Sequence, residues 1–197
     1  MQASMRKINN ISLIKYGILL ILLPILTQRC TKTAATDFDR PLMSAPSYAL
    51  ESTTGKRFGS DQFAGKYVVL HIATTWCPYC NAEAPHLQSL FENYRGRGVE
   101  VVIIDVKESG DLVHEKLVER FGLTFPVLLD HEGAVAASFA PADVLPELAR
   151  DEIMLASNLL IDPEGTIQFM SLLDTKNFDV ELTALRAQLD DLLAAAH

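Results

Sequence analysis

The chain has 197 residues, 49% of them hydrophobic, which suits one globular domain with room for extra segments. The formal charge is -8, and most of the acid lies late: residues 45–197 carry -12, because six Lys and Arg but only Asp37 and Asp39 of the acids precede them. So acidic a domain repels phosphate backbones, which argues against a nucleic-acid partner, and three cysteines are too few for a disulfide-stapled scaffold.

Residues 1–36 contain no acid, and Arg6, Lys7 and Lys15 lead into an apolar run over residues 18–26 that ends before Arg29. This is the layout of a signal peptide or signal anchor whose positive end stays in the cytoplasm, so the rest of the chain is expected on the extracytoplasmic, periplasmic side of a bacterial membrane. The run alone is shorter than the roughly 20 residues of a membrane span, but Lys15 can snorkel and let residues 11–14 contribute. Leu26-Thr27-Gln28-Arg29-Cys30 resembles a bacterial lipoprotein box, in which the cysteine after the cut receives the lipid, with Arg29 standing where that box has a small residue. Lipidation of Cys30, cleavage near Thr33-Ala34-Ala35 and retention as an anchor all stay open, and an uncleaved or lipid-linked membrane tether is favoured. Residues 31–46, rich in Thr, Ala, Asp and Pro, read as a linker. The expected organisation is therefore a signal or anchor over 1–30, this linker, and a domain over 47–197.

In the domain, residues 48–51 and 56–58 flank Gly55 as a small hairpin. Tyr67 to Ala73 is a near-continuous apolar run, the mark of a central strand buried on both faces. Leu87, Leu90, Phe91 and Tyr94 follow at helical spacing until Gly96 and Gly98 stop the helix. Residues 99–106 form the next strand, 111–121 a helix and 126–130 a strand. Residues 134–156, with Pro141 and Pro146, suggest a loop with short helical pieces inserted before the last hairpin, 157–162 and 166–172 about a Pro163-Glu164-Gly165 turn. Asn177 or Asp179 then caps a closing amphipathic helix bearing Leu182, Leu185, Leu189, Leu192 and Leu193. Alternation of strand and helix makes this an α/β domain with a central sheet covered by helices.

The chemistry sits between the central strand and the first long helix, in Trp76-Cys77-Pro78-Tyr79-Cys80. Two cysteines separated by two residues can close a small disulfide ring. At a helix N-terminus the first sulfur meets backbone N–H groups and the positive end of the dipole, which favour the attacking thiolate. Pro78 suits a first helical turn and stiffens the ring, while Trp76 and Tyr79 offer flat apolar surface beside it. A zinc site normally needs a second Cys or His pair, and His71, His86, His114, His131 and His197 show none, so no metal is expected.

The segment from Val69 to Pro85 resembles the active-site stretch of the TlpA/ResA-like thioredoxins within the redoxin, or AhpC/TSA, group. The resemblance covers most of residues 45–197 and implies a thioredoxin-like fold, a central mixed sheet flanked by helices with an N-terminal hairpin and an insertion before the last hairpin. It implies a thiol-disulfide oxidoreductase with no cofactor beyond a redox-active Cys77–Cys80 disulfide. Cys77 would attack a protein disulfide, Cys80 would resolve the mixed disulfide, and a membrane thiol carrier would supply electrons. Glu83 and Pro85 match an acid and a proline that the group carries after the second cysteine.

Glu83 lies one helical turn from Cys80 and has two equally weighted roles, proton partner of the resolving thiol or first-turn acid favoured by the helix dipole. His71, six residues before Cys77, is a possible proton relay, though an isolated buried-strand His is more often a hydrogen-bonded core residue. The family's cis-proline aligns with Ala156, which is expected to be trans and to give the substrate groove an altered rim. Two other readings compete. Thr74, three residues before Cys77, fits part of a peroxidatic motif, but Leu70 stands where such peroxidases carry a proline. An SCO-like copper chaperone would space its cysteines by three and draw on His114 or His131.

Overall fold

In the computed structural model, residues 43–144, 147 and 156–196 are described. The signal or anchor segment, Cys30 and most of the expected linker lie outside them. Among the described residues no helix is long and apolar enough to cross a membrane.

An eight-stranded mixed sheet organises the domain in the order β1-β8-β7-β4-β5-β6-β2-β3. Its middle is β4 (Tyr67–Ala73), which pairs in parallel with β5 (Val99–Val106) and antiparallel with β7 (Ser157–Ile161). Side chains alternate across β4, so Val69, His71 and Ala73 face one way and Val68, Leu70 and Ile72 the other. Each set enters its own core, which is why the run contains no outward polar partner for its apolar residues. The first core lies under α1 (Pro78–Tyr94), α2 (Gly110–Val113, continued by wider i→i+5 turns over His114–Glu119) and α4 (Thr183–Ala195). The second lies under α3 (Ala134–Phe139) and the turn Ser60–Phe63.

Beyond β5 come β6 (Val127–Asp130) and the hairpin of β2 (Ala49–Ser52) with β3 (Arg57–Gly59), closed where Gly55 takes φ 77°. On the other side β8 (Thr166–Leu172) pairs with β7 through an irregular register at Leu160/Ile161.

The elements follow the sequence expectation closely, with three differences. Met43–Ser44, inside the segment read as linker, forms β1 against Ile167 and Thr166, and Ala45 donates its N–H to Gly165 at 2.8 Å; the domain therefore begins before residue 47. The edge of β8 has free backbone groups to offer, and two residues of extended chain satisfy them. The helix expected over 111–121 is α-helical only over Gly110–Val113 and runs on in wider turns to Glu119, whereas the first long helix begins at Pro78, in line with that proline's place in a first turn. The closing helix begins at Thr183; Asp179 still serves its first turn, accepting from the N–H of Ala184 at 2.9 Å.

Helix α1 carries the site and is anchored by Leu87 and Leu90, both wholly buried. Truncating either to Ala would cost about 2–5 kcal/mol. Pro85 lies within it and removes one backbone bond of the first turns. Helix α4 braces this region: the Arg186 guanidinium donates to the His86 carbonyl at 2.8 Å.

Candidate active site

Cys77 is the N-cap of α1, and its Sγ accepts the backbone N–H of Cys80 at 3.2 Å. Both thiols are free and buried. A sulfur at the positive end of a helix with a donor aimed at it is held where a developing negative charge is favoured. Cys80 is in the opposite situation. Burial, the hydrogen bond to Cys77 and its charge push the Cys80 thiol up, while the Thr74 backbone only partly compensates. The two sulfurs therefore differ in their surroundings: Cys77 caps the helix, and Cys80 is buried behind it where its protonated form is favoured.

Glu83 lies one helical turn beyond Cys80. It projects from the same helix, is 6% exposed, and its carboxyl is raised to about 7 by burial and by the charge of Asp179, against a lowering by Asn158. The first-turn dipole alone would have left it solvated, so burial favours the proton-partner role. Its Oε1 accepts from Nδ2 of Asn158 at 2.9 Å, and Oδ1 of Asn158 accepts from Nδ1 of His71 at 2.8 Å. His71 and Asn158 meet because β4 and β7 place them directly opposite one another. The imidazole is 1% exposed, with its pKa lowered to about 4 by burial, against raising by Asn158 and the Ser157 backbone. His71 is therefore a buried, hydrogen-bonded side chain whose neutral form burial favours, and it also stands 3.7 Å from the Glu83 carboxyl group.

The rim of the site is aromatic. Trp76 is 69% exposed, and Tyr79 meets the edge of Phe178 with ring centroids 4.9 Å apart. Ala156 is half-buried, packs against the core cluster that holds both cysteines, and accepts the Leu173 N–H at 2.9 Å. No described peptide bond is cis, and the bond entering Ala156 involves a residue outside the described set.

On the far side of the cysteine loop, Glu108 accepts from the Thr75 N–H at 2.5 Å and from the Thr75 hydroxyl at 2.6 Å. Asp105 is buried nearby, its carboxyl raised to about 8 by burial and then by Glu108. Sequence reasoning missed Asn158, Asp105 and Glu108. The available signal for the first two was a polar residue interrupting an apolar strand, Asn158 before Leu159-Leu160-Ile161 and Asp105 after Ile103-Ile104. Of the histidines considered as copper ligands, His131 is exposed beyond the end of β6 and His114 lies 3.6 Å from Glu119 in α2. No cluster of three metal-ligating side chains occurs among the described residues.

The sequence model of the AhpC/TSA family matches residues 42–170. The thiol-disulfide oxidoreductase ResA of Bacillus subtilis (strain 168) is 35% identical over 123 residues, 62% of this chain and 62% of the relative, so the chain matches less than two thirds of that protein's length. Two solved structures share the fold. A secreted Mycobacterium tuberculosis disulfide oxidoreductase has a TM-score of 0.58 at 22% identity and covers 73% of this chain and 95% of its own. The thioredoxin domain of a Bacteroides vulgatus thiol-disulfide oxidoreductase has 0.54 at 18%, covering 74% and 94%. The fold is thioredoxin-like.

Proposed function

The chain belongs to the AhpC/TSA family, and from that membership and the geometry of its cysteine pair we propose that it is a thiol-disulfide oxidoreductase that reduces protein disulfides. The observation that carries this is the asymmetry of the pair: Cys77 caps α1 and accepts the Cys80 N–H, while Cys80 is buried behind it with Glu83 one turn on. The likeness to ResA points the same way.

In the first step the Cys77 thiolate attacks one sulfur of the client disulfide, forming a mixed disulfide and releasing the other client sulfur as thiolate. Glu83 then takes the Cys80 proton, and the Cys80 thiolate attacks Sγ of Cys77 and displaces the second client thiolate. Two electrons pass to the client and the protein is left with a Cys77–Cys80 disulfide, which needs no further cofactor. A membrane thiol carrier regenerates the dithiol. The apolar segment before the domain keeps this chemistry on the extracytoplasmic side, as tether or export signal. Trp76, Pro78, Tyr79 and Ala156 form the surface over which the client chain lies.

Cys80→Ser removes the resolving thiol and is expected to accumulate a covalent complex with client protein, whereas Cys77→Ser accumulates none. Trapping by Cys77→Ser, or by neither variant, overturns the assignment of Cys77 as the attacking sulfur.

A further inference from the structure

Asp105 and Glu108 lie outside the mechanism just given, and the way they are held has no explanation in packing. Asp105 is 1% exposed, and burial, the Glu108 charge and a side-chain hydrogen bond with Glu108 all favour its protonated form. Three residues on, Glu108 is turned back over the end of β4 by Lys107, which takes φ 62°, a left-handed conformation that a side chain bearing a Cβ rarely adopts. The result is a two-point grip on Thr75, through its N–H at 2.5 Å and its hydroxyl at 2.6 Å. The Thr75 carbonyl is taken from the other side by Nδ2 of Asn81 at 2.9 Å, and the N–H of Cys77 is held by the Thr74 carbonyl at 3.2 Å. Every polar group of Thr75 is thereby engaged, two residues before the attacking cysteine.

We propose that Glu108 is a positioning residue for Cys77: its carboxyl group fixes the loop of residues 74–76 through Thr75. Left to itself the loop has little to order it, since Trp76 is exposed and cannot anchor it by burial. Glu108 supplies the anchor from just beyond the end of β5, the strand parallel to β4, so the sulfur's place at the start of α1 is set from the ends of two strands rather than one. The proposal rests on the reading of Cys77 as the attacking thiol, but its test needs no client protein.

The test is the rate of iodoacetamide modification of Cys77 in the full-length reduced protein at pH 7, followed by mass spectrometry of the Cys77 peptide, with Tm measured alongside. Glu108→Ala and Thr75→Val are each expected to slow modification about tenfold, the factor one charge-assisted hydrogen bond supplies. The double variant should be no slower than the worse single one, because both cut the same link. Thr75→Ser keeps both donors and should stay within about twofold of the parent. Asp105→Asn should also stay within about twofold, since Asp105 does not itself hold Thr75 and the amide can still donate to Glu108. An unchanged rate in Glu108→Ala with a lowered Tm, or losses that multiply in the double variant, overturns the positioning role. A loss in Asp105→Asn equal to that in Glu108→Ala overturns the assignment of the grip to Glu108. If these rates behave as expected while Cys80→Ser traps no client, the oxidoreductase reading alone falls.

Discussion

Asn158 donates to Glu83 across 2.9 Å from a strand at the far side of the site, and the same amide accepts from His71 at 2.8 Å. One side chain therefore fixes two others: it holds the Glu83 carboxyl in place behind Cys80, and it selects the Nδ1–H tautomer of a buried neutral imidazole. Glu83 is pulled in two directions, upward by burial and Asp179 and downward by this amide, and the balance sits at about 7.

Replacing Asn158 by Leu removes the donor that stabilises the carboxylate. Proton affinity at Glu83 should rise by about one unit, the worth of one hydrogen bond to a charged group. The groups facing Glu83 are Cys80 on its own helix, His71 and Asn158 on the two strands, and Asp179 before α4. In a pH profile of mixed-disulfide resolution, the limb belonging to Glu83 should move to higher pH by that amount. A limb that stays in place would show that the amide has no electrostatic hold on the acid.

Glu83→Gln keeps the shape of the side chain and loses the proton acceptor. Resolution by Cys80 is expected to slow by about a hundredfold, at the lower end of what general-base assistance supplies, while attack by Cys77 changes little. Stopped-flow measurement of the two steps on a mixed disulfide separates them, and equal slowing of both would assign Glu83 a different role.

Much of this was legible in the sequence because local signals and tertiary context agree. The unbroken apolar run of β4 marked the centre of the sheet, and the cysteine spacing with Pro78 marked the start of α1. What stayed hidden depends on register. That Asn158 stands opposite His71 follows from the pairing of β4 with β7, two strands separated in the chain by residues 74–156. Glu108 reaches Thr75 only because Lys107 adopts a left-handed turn that its residue type does not announce. The role of Met43–Ser44 was masked for the opposite reason, since a two-residue edge strand carries no periodicity to find.

Buried groups with displaced proton affinities make stability depend on pH. Asp105 and Glu83 bind their protons more tightly folded than unfolded, so the stability they contribute is complete below about 4 and is lost as pH rises through about 7 for Glu83 and about 8 for Asp105. His71 has the opposite sign: its contribution is present above about 6.5 and lost as pH falls towards about 4. Urea unfolding of the reduced protein at pH 6.5 and 8.5 should show lower stability at the higher pH. Asp105→Asn should remove much of that difference, an effect of roughly 2 kcal/mol. If the variant shows the same drop, Asp105 is not protonated in the native state.

Trp76 tests the client surface. At 69% exposure it contributes little to the fold, and Trp76→Ala should change stability by no more than about 0.5 kcal/mol. On binding, a large aromatic ring beside the attacking sulfur is covered by the client chain, and its loss should raise KM for a protein disulfide about tenfold. A small disulfide such as oxidised glutathione has no protein chain to lay over the ring, so its rate of reduction should stay within about twofold of the parent. Comparing the two substrates therefore distinguishes a docking residue from one that tunes the sulfur. If Trp76→Ala slows both substrates alike, the ring acts on Cys77 itself, and the client surface must be sought along Ala156 and Leu173 instead.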